Sequence, residues 1–339
     1  MNESFLRQGS IISTTVGHAA VGYGEYQAFP RPPESDIPSF YFPDFFLDES
    51  EPWYQFEQSK VIKIDQLSYT PSVQSYQCDW QIEGIDAYEE AFKELMNAFK
   101  RGDLKKAVPY LFYKTETTFN LSHSLSHLVQ HSLKHPTHLY GLWSDEYGIL
   151  GGTPEQLFEI DSSGILKTSA VAGTVESGRE DELIQNPKLR LEHNLVIEGI
   201  YESLAPFGVV KVGETEILRL SHFSHTKTPI SVQLNSTDCI ESLVRSLHPT
   251  PALGAFPKQN GGKWLSNYAK RVPRGRYGSP VGVKIGDAFY CYVAIRNIQW
   301  NKETIRIGVG GGLVEGSEKN DERRELALKF EATRTMLNV

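Results

Sequence analysis

Apolar residues recur at helical spacing over residues 85–101, where Tyr88, Phe92, Leu95, Met96 and Phe99 share a face and Gly102 supplies a stop. The same kind of pattern predicts helices over 119–134, with Pro136 beyond its end, and over 189–204, 240–246, 262–269 and 321–337. Between them the period shortens. Residues 5–29 alternate loosely around Gly17, Gly22 and Gly24, as expected of two strands joined by a turn. Residues 30–52 are proline-rich and predict an irregular connection. Short strands are expected at 61–64, 107–113, 139–143, 148–151, 156–160, 166–171, near 216–222 and at 230–234, with three more across 279–310. Helices and strands come in blocks rather than strict alternation. That order predicts an α+β fold with antiparallel pairing, not a doubly wound sheet.

Composition narrows the function. The chain has 339 residues, 40% hydrophobic and 22% charged, enough for a large core, and shows no internal repeat. Its net charge of -8 argues against a nucleic-acid partner, so an anionic ligand would need a local positive pocket. The cysteines, Cys78, Cys239 and Cys291, are far apart and form no CxxC pair, so neither a disulfide framework nor a zinc cluster is indicated. Residues 1–10 lack an apolar signal core, and no apolar run approaches the roughly 18 residues of a membrane span. A soluble cytoplasmic protein is expected.

Candidate chemistry is concentrated late in the chain. Arg274-Gly275-Arg276-Tyr277-Gly278 and Gly308-Val309-Gly310-Gly311-Gly312 are glycine-dense, and backbone without side chains lets main-chain amides approach an anion. The glycines near 308–312 lack the spacing of a dinucleotide fingerprint. Glu192 on one predicted helix, and Glu322 and Glu325 on another, could converge on a hard cation such as Mg2+; equally, they could be solvated helix faces. Lys106 stands at the mouth of an apolar strand, where partial desolvation suits a general base, or where a snorkelling surface lysine would also fit. Glu155 lies in a tight turn and is either a proton donor or a turn cap. Arg296 interrupts an apolar strand, as a ligand anchor or one half of an ion pair, and Lys329 shares a helical face with Glu325. His222, His225 and His248 fall in loops without zinc spacing, and His193 beside Glu192 suits a structural hydrogen bond.

Taken in order, Gly152-Thr153-Pro154-Glu155, Ala172-Gly173-Thr174, Glu192-His193, Leu247-His248-Pro249-Thr250-Pro251-Ala252, Arg274-Gly275-Arg276-Tyr277, Ala294-Ile295-Arg296, Gly310-Gly311-Gly312 and the run from Glu322 to Lys329 resemble the chorismate-utilising enzymes over residues 85–339. The resemblance implies a single catalytic domain over residues 1–339, with two packed antiparallel β-sheets flanked by helices and an abbreviated N-terminal part at 1–84. It implies Mg2+ on Glu192 and Glu325 with Glu322 in support. It also implies carboxylate binding by Arg296, Tyr277 and the Gly310, Gly311 and Gly312 amides, with Lys329 close by. Thr174, His225 and Thr228 match segments that line the family's site, and Glu155 matches its general acid. Amine-adding members carry Gln where Lys106 stands, so the resemblance is to isochorismate synthases, which add water to chorismate at C2 as the C4 hydroxyl leaves. Such an enzyme needs no glutaminase subunit, and a monomer is expected. Two alternatives stay open: a salicylate synthase, which would go on to eliminate pyruvate, and a chorismate-binding protein with little turnover. The chain departs from the family pattern at Pro109–Phe112, where Ser-Arg is usual, and at Val175–Ser177, where a basic residue is usual.

Overall fold

The computed structural model describes residues 3–67, 78–219, 223–236 and 240–339; His222 and Cys239 lie outside the described residues. The first long helix is Ile85–Arg101, with Tyr88, Ala91, Phe92, Leu95, Ala98 and Phe99 turned inward. Each such burial contributes about 1.5–3 kcal/mol for the larger apolar side chains. Gly102 ends the helix in the left-handed region at φ 77°, its N–H meeting the carbonyls of Ala98 and Phe99. Helix Pro187–Leu204 starts where Asn186 accepts a hydrogen bond from the Lys188 amide at 2.9 Å, and proline fits the first turn because its N–H is not needed there. The last helix, Lys319–Leu337, carries Asp321 and Glu322 in its first turn, the favourable end of the helix dipole for acids.

All strand pairings among the described residues are antiparallel. Among the described residues they form one 17-stranded hydrogen-bonded system and a separate three-stranded sheet. Gly9–Ile12 pairs with Tyr140–Trp143, and Ser39–Tyr41 pairs with Gly282–Lys284, so the N-terminal segment is woven into the same sheet as the later strands. One apolar cluster gathers Trp143, Leu150, Ile307, Leu326 and Phe330; a second gathers Trp53, Phe158, Val196, Ile230 and Phe289. Phe330 stacks on Tyr113 at 3.8 Å and so seats the last helix on the sheet.

Three expectations need correction. The strand expected over 107–113 is two: Lys106–Ala107 belongs to the small sheet and Tyr110–Glu116 to the large one. Pro109 between them has no N–H to donate, and Val108 bonds instead to the Gly254 carbonyl at 2.8 Å. The segment 279–310 holds four strands, not three: Pro280–Ile285, Ala288–Val293, Asn297–Trp300 and Thr304–Gly310. Arg296 takes φ 54° and redirects the chain, so Asn297–Trp300 pairs with Gly148–Gly151 rather than continuing its predecessor. A strand at Gly208–Val212 was not foreseen, and Phe223–Leu234, which it pairs with, is far longer than expected.

Candidate active site

The site opens where two paired chain segments diverge. Thr304–Gly310 runs beside Tyr110–Glu116 in the large sheet, and beyond the break Leu313–Val314 runs beside Lys106–Ala107 in the small one. Val108, Gly310 and Gly312, at this break, line a hollow. Lys106, Glu155, Glu192, Tyr277, Arg296, Glu325 and Lys329 also face it, with Thr174 and His225. Its apolar wall is Val171, Ala172, Ala252, Leu253 and Ile295.

Lys106 is 1% exposed, and its Nζ lies 2.7 Å from Glu192 Oε1. Glu325 Oε1 meets Lys329 Nζ at 2.5 Å, and that amine also donates to the Gly310 carbonyl at 3.0 Å. Glu322 Oε1 meets Lys188 Nζ at 2.5 Å, and Ser317 also hydrogen-bonds this buried carboxylate. Burial and the neighbouring Glu325 charge raise the Glu322 pKa, against the pull of Lys188. Burial acts the same way on Glu325, but Lys329 and Lys188 outweigh it and hold that carboxyl below its usual range. Lys188 was not singled out in the sequence. It lies four residues before Glu192 on the same helix, and that spacing was the available signal.

Glu155 sits half-buried in the turn between Gly148–Thr153 and Gln156–Ile160, its amide bonded to Thr153 Oγ1 at 3.1 Å. Burial pushes its carboxyl up to about 7, although Lys106 and Lys329 pull the other way. A carboxylic acid near neutrality is suited to donating a proton. Arg296 faces the hollow from a left-handed backbone and lies 5.1 Å over the Phe223 ring. It forms no ion pair among the described residues, and burial lowers its pKa. A non-glycine residue at positive φ costs on the order of 1 kcal/mol, a strain typical of functional positions. The geometry thus presents an arginine fork with room for an external anion.

Tyr277 is 3% exposed and packs against Tyr110 and Phe112. Gly308 lies beneath its ring, where any Cβ would clash. His225 Nδ1 contacts Thr174 Oγ1 at 3.2 Å; burial, Arg296 and Lys329 bring the imidazole down to about 3, so it is neutral. Thr228 is one residue the structure does not bring to the hollow: its hydroxyl is engaged by His193 Nε2 and Thr215 Oγ1, each at 2.7 Å. His193 is therefore in a structural hydrogen bond, and so is His248, bonded to the Phe45 carbonyl at 2.7 Å. Glu322 and Gly311 stand behind the lining, where a Cβ on Gly311 would be 3.4 Å from Glu322 Oε2. A Cβ on Gly312 would land on the Lys106–Glu192 pair.

Comparison with known proteins gives this arrangement a family context. The family model described as "Chorismate binding enzyme" matches residues 48–338. The salicylate biosynthesis isochorismate synthase of Pseudomonas aeruginosa is 34% identical over 200 residues, covering 56% of this chain and 42% of the relative. The isochorismate synthase MenF of Bacillus subtilis is 29% identical over 205 residues, covering 57% and 43%. These matches span less than half the length of those curated relatives. Among solved structures, MenF of Escherichia coli superposes with a TM-score of 0.82 at 18% identity, covering 99% of this chain and 90% of that one. Anthranilate synthase component I of Streptococcus pneumoniae gives 0.72 at 15% identity, covering 99% and 94%. At such identities the superpositions establish the shared fold. No helix among the described residues is long and apolar enough to cross a membrane.

Proposed function

The chain belongs to the chorismate-binding enzyme family, and on that footing we propose that it is an isochorismate synthase. The observation that carries this reading is Lys106, buried at the hollow that the half-buried acid Glu155 also lines. A base and an acid on one pocket suit an exchange in which water enters and hydroxide leaves. Lys106 takes a proton from water as its oxygen bonds to C2 of chorismate and both conjugated ring double bonds shift by one position toward C4. The C4–O bond breaks, and Glu155 gives its proton to the departing hydroxyl, which leaves as water. One water enters and one leaves, so the reaction is an isomerisation.

Glu192, Glu322 and Glu325 form no ready-made cluster among the described residues, each being paired with a lysine, yet their carboxylates are of the kind that suits a hard divalent cation. Glu192 and Glu325 both line the hollow, and the side-chain-free Gly311 and Gly312 keep the backbone clear of the carboxylates. Glu192, Glu322 and Glu325 would hold Mg2+, which when bound supplies positive charge to neutralise a substrate carboxylate. With Glu192 so engaged, Lys106 would be free to serve water. Arg296 offers its planar fork to the second carboxylate of chorismate, with the Tyr277 hydroxyl and the backbone at Gly310 beside it. The apolar wall at Val171, Ala172, Leu253 and Ile295 suits the ring. Because the nucleophile is water, no glutaminase subunit is required.

Incubation of the purified chain with chorismate, with and without Mg2+, followed by chromatographic identification of the product tests this. Isochorismate formed only with Mg2+ is expected. Salicylate with pyruvate would indicate that elimination follows, and binding without product would overturn the assignment.

A further inference from the structure

Helix Leu121–Ser132 carries His123, His127 and His131 at four-residue intervals, a pattern unused by the proposed reaction. Four residues bring side chains to one face of a helix, the spacing at which two imidazoles can share a metal ion. His123 is 3% exposed and His127 is half-buried. Both Nε2 atoms point at one atom: Asn338 Nδ2 lies 2.8 Å from that of His123 and 3.0 Å from that of His127. An amide nitrogen only donates, so both Nε2 atoms carry lone pairs aimed at the same spot. Asn338 is itself fixed at the end of helix Lys319–Leu337, in the left-handed region at φ 54°.

We propose that His123, His127 and Asn338 form a second metal site, which takes a late first-row divalent ion such as Zn2+. Two imidazoles on one tetrahedral zinc, with Zn–N bonds of about 2.0–2.1 Å, place their ring centres about 5 Å apart. The rings of His123 and His127 are 4.7 Å apart at 53°. The corners of that tetrahedron are about 3.3 Å apart, close to the 2.8 and 3.0 Å separations from Asn338. Turning the amide over places its oxygen, a metal ligand, where the nitrogen now sits. Imidazole suits zinc, nickel and copper rather than magnesium, so the two sites differ in chemistry. Metal here would tie Leu121–Ser132 to the end of the helix that carries Glu322 and Glu325, and would raise stability in proportion to ln(1 + [metal]/Kd).

Calorimetric titration of the chelator-stripped full chain with Zn2+, in millimolar Mg2+ to occupy the carboxylate site, tests the proposal. One tight equivalent and a zinc-dependent rise in Tm are expected. The half-buried His127→Gln should weaken Zn2+ at least about tenfold and lose the Tm rise, as one imidazole ligand is removed. Asn338→Asp should tighten binding by supplying an anionic ligand, while His131→Gln should leave it unchanged. Equal Zn2+ affinity in the parent chain, His127→Gln and Asn338→Asp would overturn the site.

Discussion

Lys106 Nζ and Glu192 Oε1 are 2.7 Å apart, with side chains 1% and 12% exposed, and they join a strand of the small sheet to helix Pro187–Leu204. The pair places the proposed base and a proposed cation ligand in one contact, so each variant below can be judged against it. Lys106→Met keeps the volume and removes the amine. Turnover should fall about 10²–10⁴-fold, the usual worth of a general base. Stability should fall by about 2–3 kcal/mol, because Glu192 is left enclosed without its partner. Product formation and chemical denaturation measure the two effects; unchanged turnover would remove Lys106 from the mechanism.

Glu155 ties activity and stability to the same pH window. Its carboxyl titrates at about 7 in the folded chain against an ordinary value of 4.5. The folded state therefore holds a proton that the unfolded state has lost, and stability falls as pH rises from 4.5 through 7. Glu155→Gln removes that penalty. It should be more stable than the parent at alkaline pH by about 3 kcal/mol at most, and the gain should disappear under acidic conditions. In the parent, kcat/KM should decline as the acid loses its proton above about 7. Denaturation curves at two pH values and a pH–rate profile check both; a stability difference independent of pH would contradict the assignment.

Arg296 faces the hollow and forms no ion pair among the described residues. Arg296→Met should raise KM for chorismate about 10–100-fold, the worth of one or two hydrogen bonds to a charged group. Because no internal carboxylate loses its partner, Tm should hold or rise. A large loss of Tm with KM unchanged would show a structural role instead.

Gly312 and Gly262 form a matched test of space. A Cβ on Gly312 meets the Lys106–Glu192 pair, whereas a Cβ on Gly262 meets nothing within 4 Å. Gly312→Ala should lower turnover and cation affinity together. Gly262→Ala, in helix Lys258–Arg271, should leave turnover intact and stabilise by about 0.5–1 kcal/mol. Equal effects from both substitutions would argue that the close approach at Gly312 is unimportant.

Much of this protein was legible along the chain. The apolar period of Ile85–Arg101, the caps of the helices and the blocked order of elements follow from local chemistry, and they led to the α+β fold. The glycine and charge motifs in their order led to the family. What local pattern could not convey was partnership. Lys106–Ala107 and Tyr110–Glu116 look like one apolar strand until Pro109 and the distant Gly254 divide them between sheets. Arg296 looks like a charge within a strand, and only its pairing geometry makes it the residue at which the chain turns. Thr228 matched a lining segment, yet its contacts with His193 and Thr215 hold it behind the wall. Residue types and their order are carried by the chain itself. Which lysine meets which glutamate depends on contacts such as Lys106–Glu192, 86 residues apart, and Lys188–Glu322, 134 apart, and those exist only once the sheets and helices are packed.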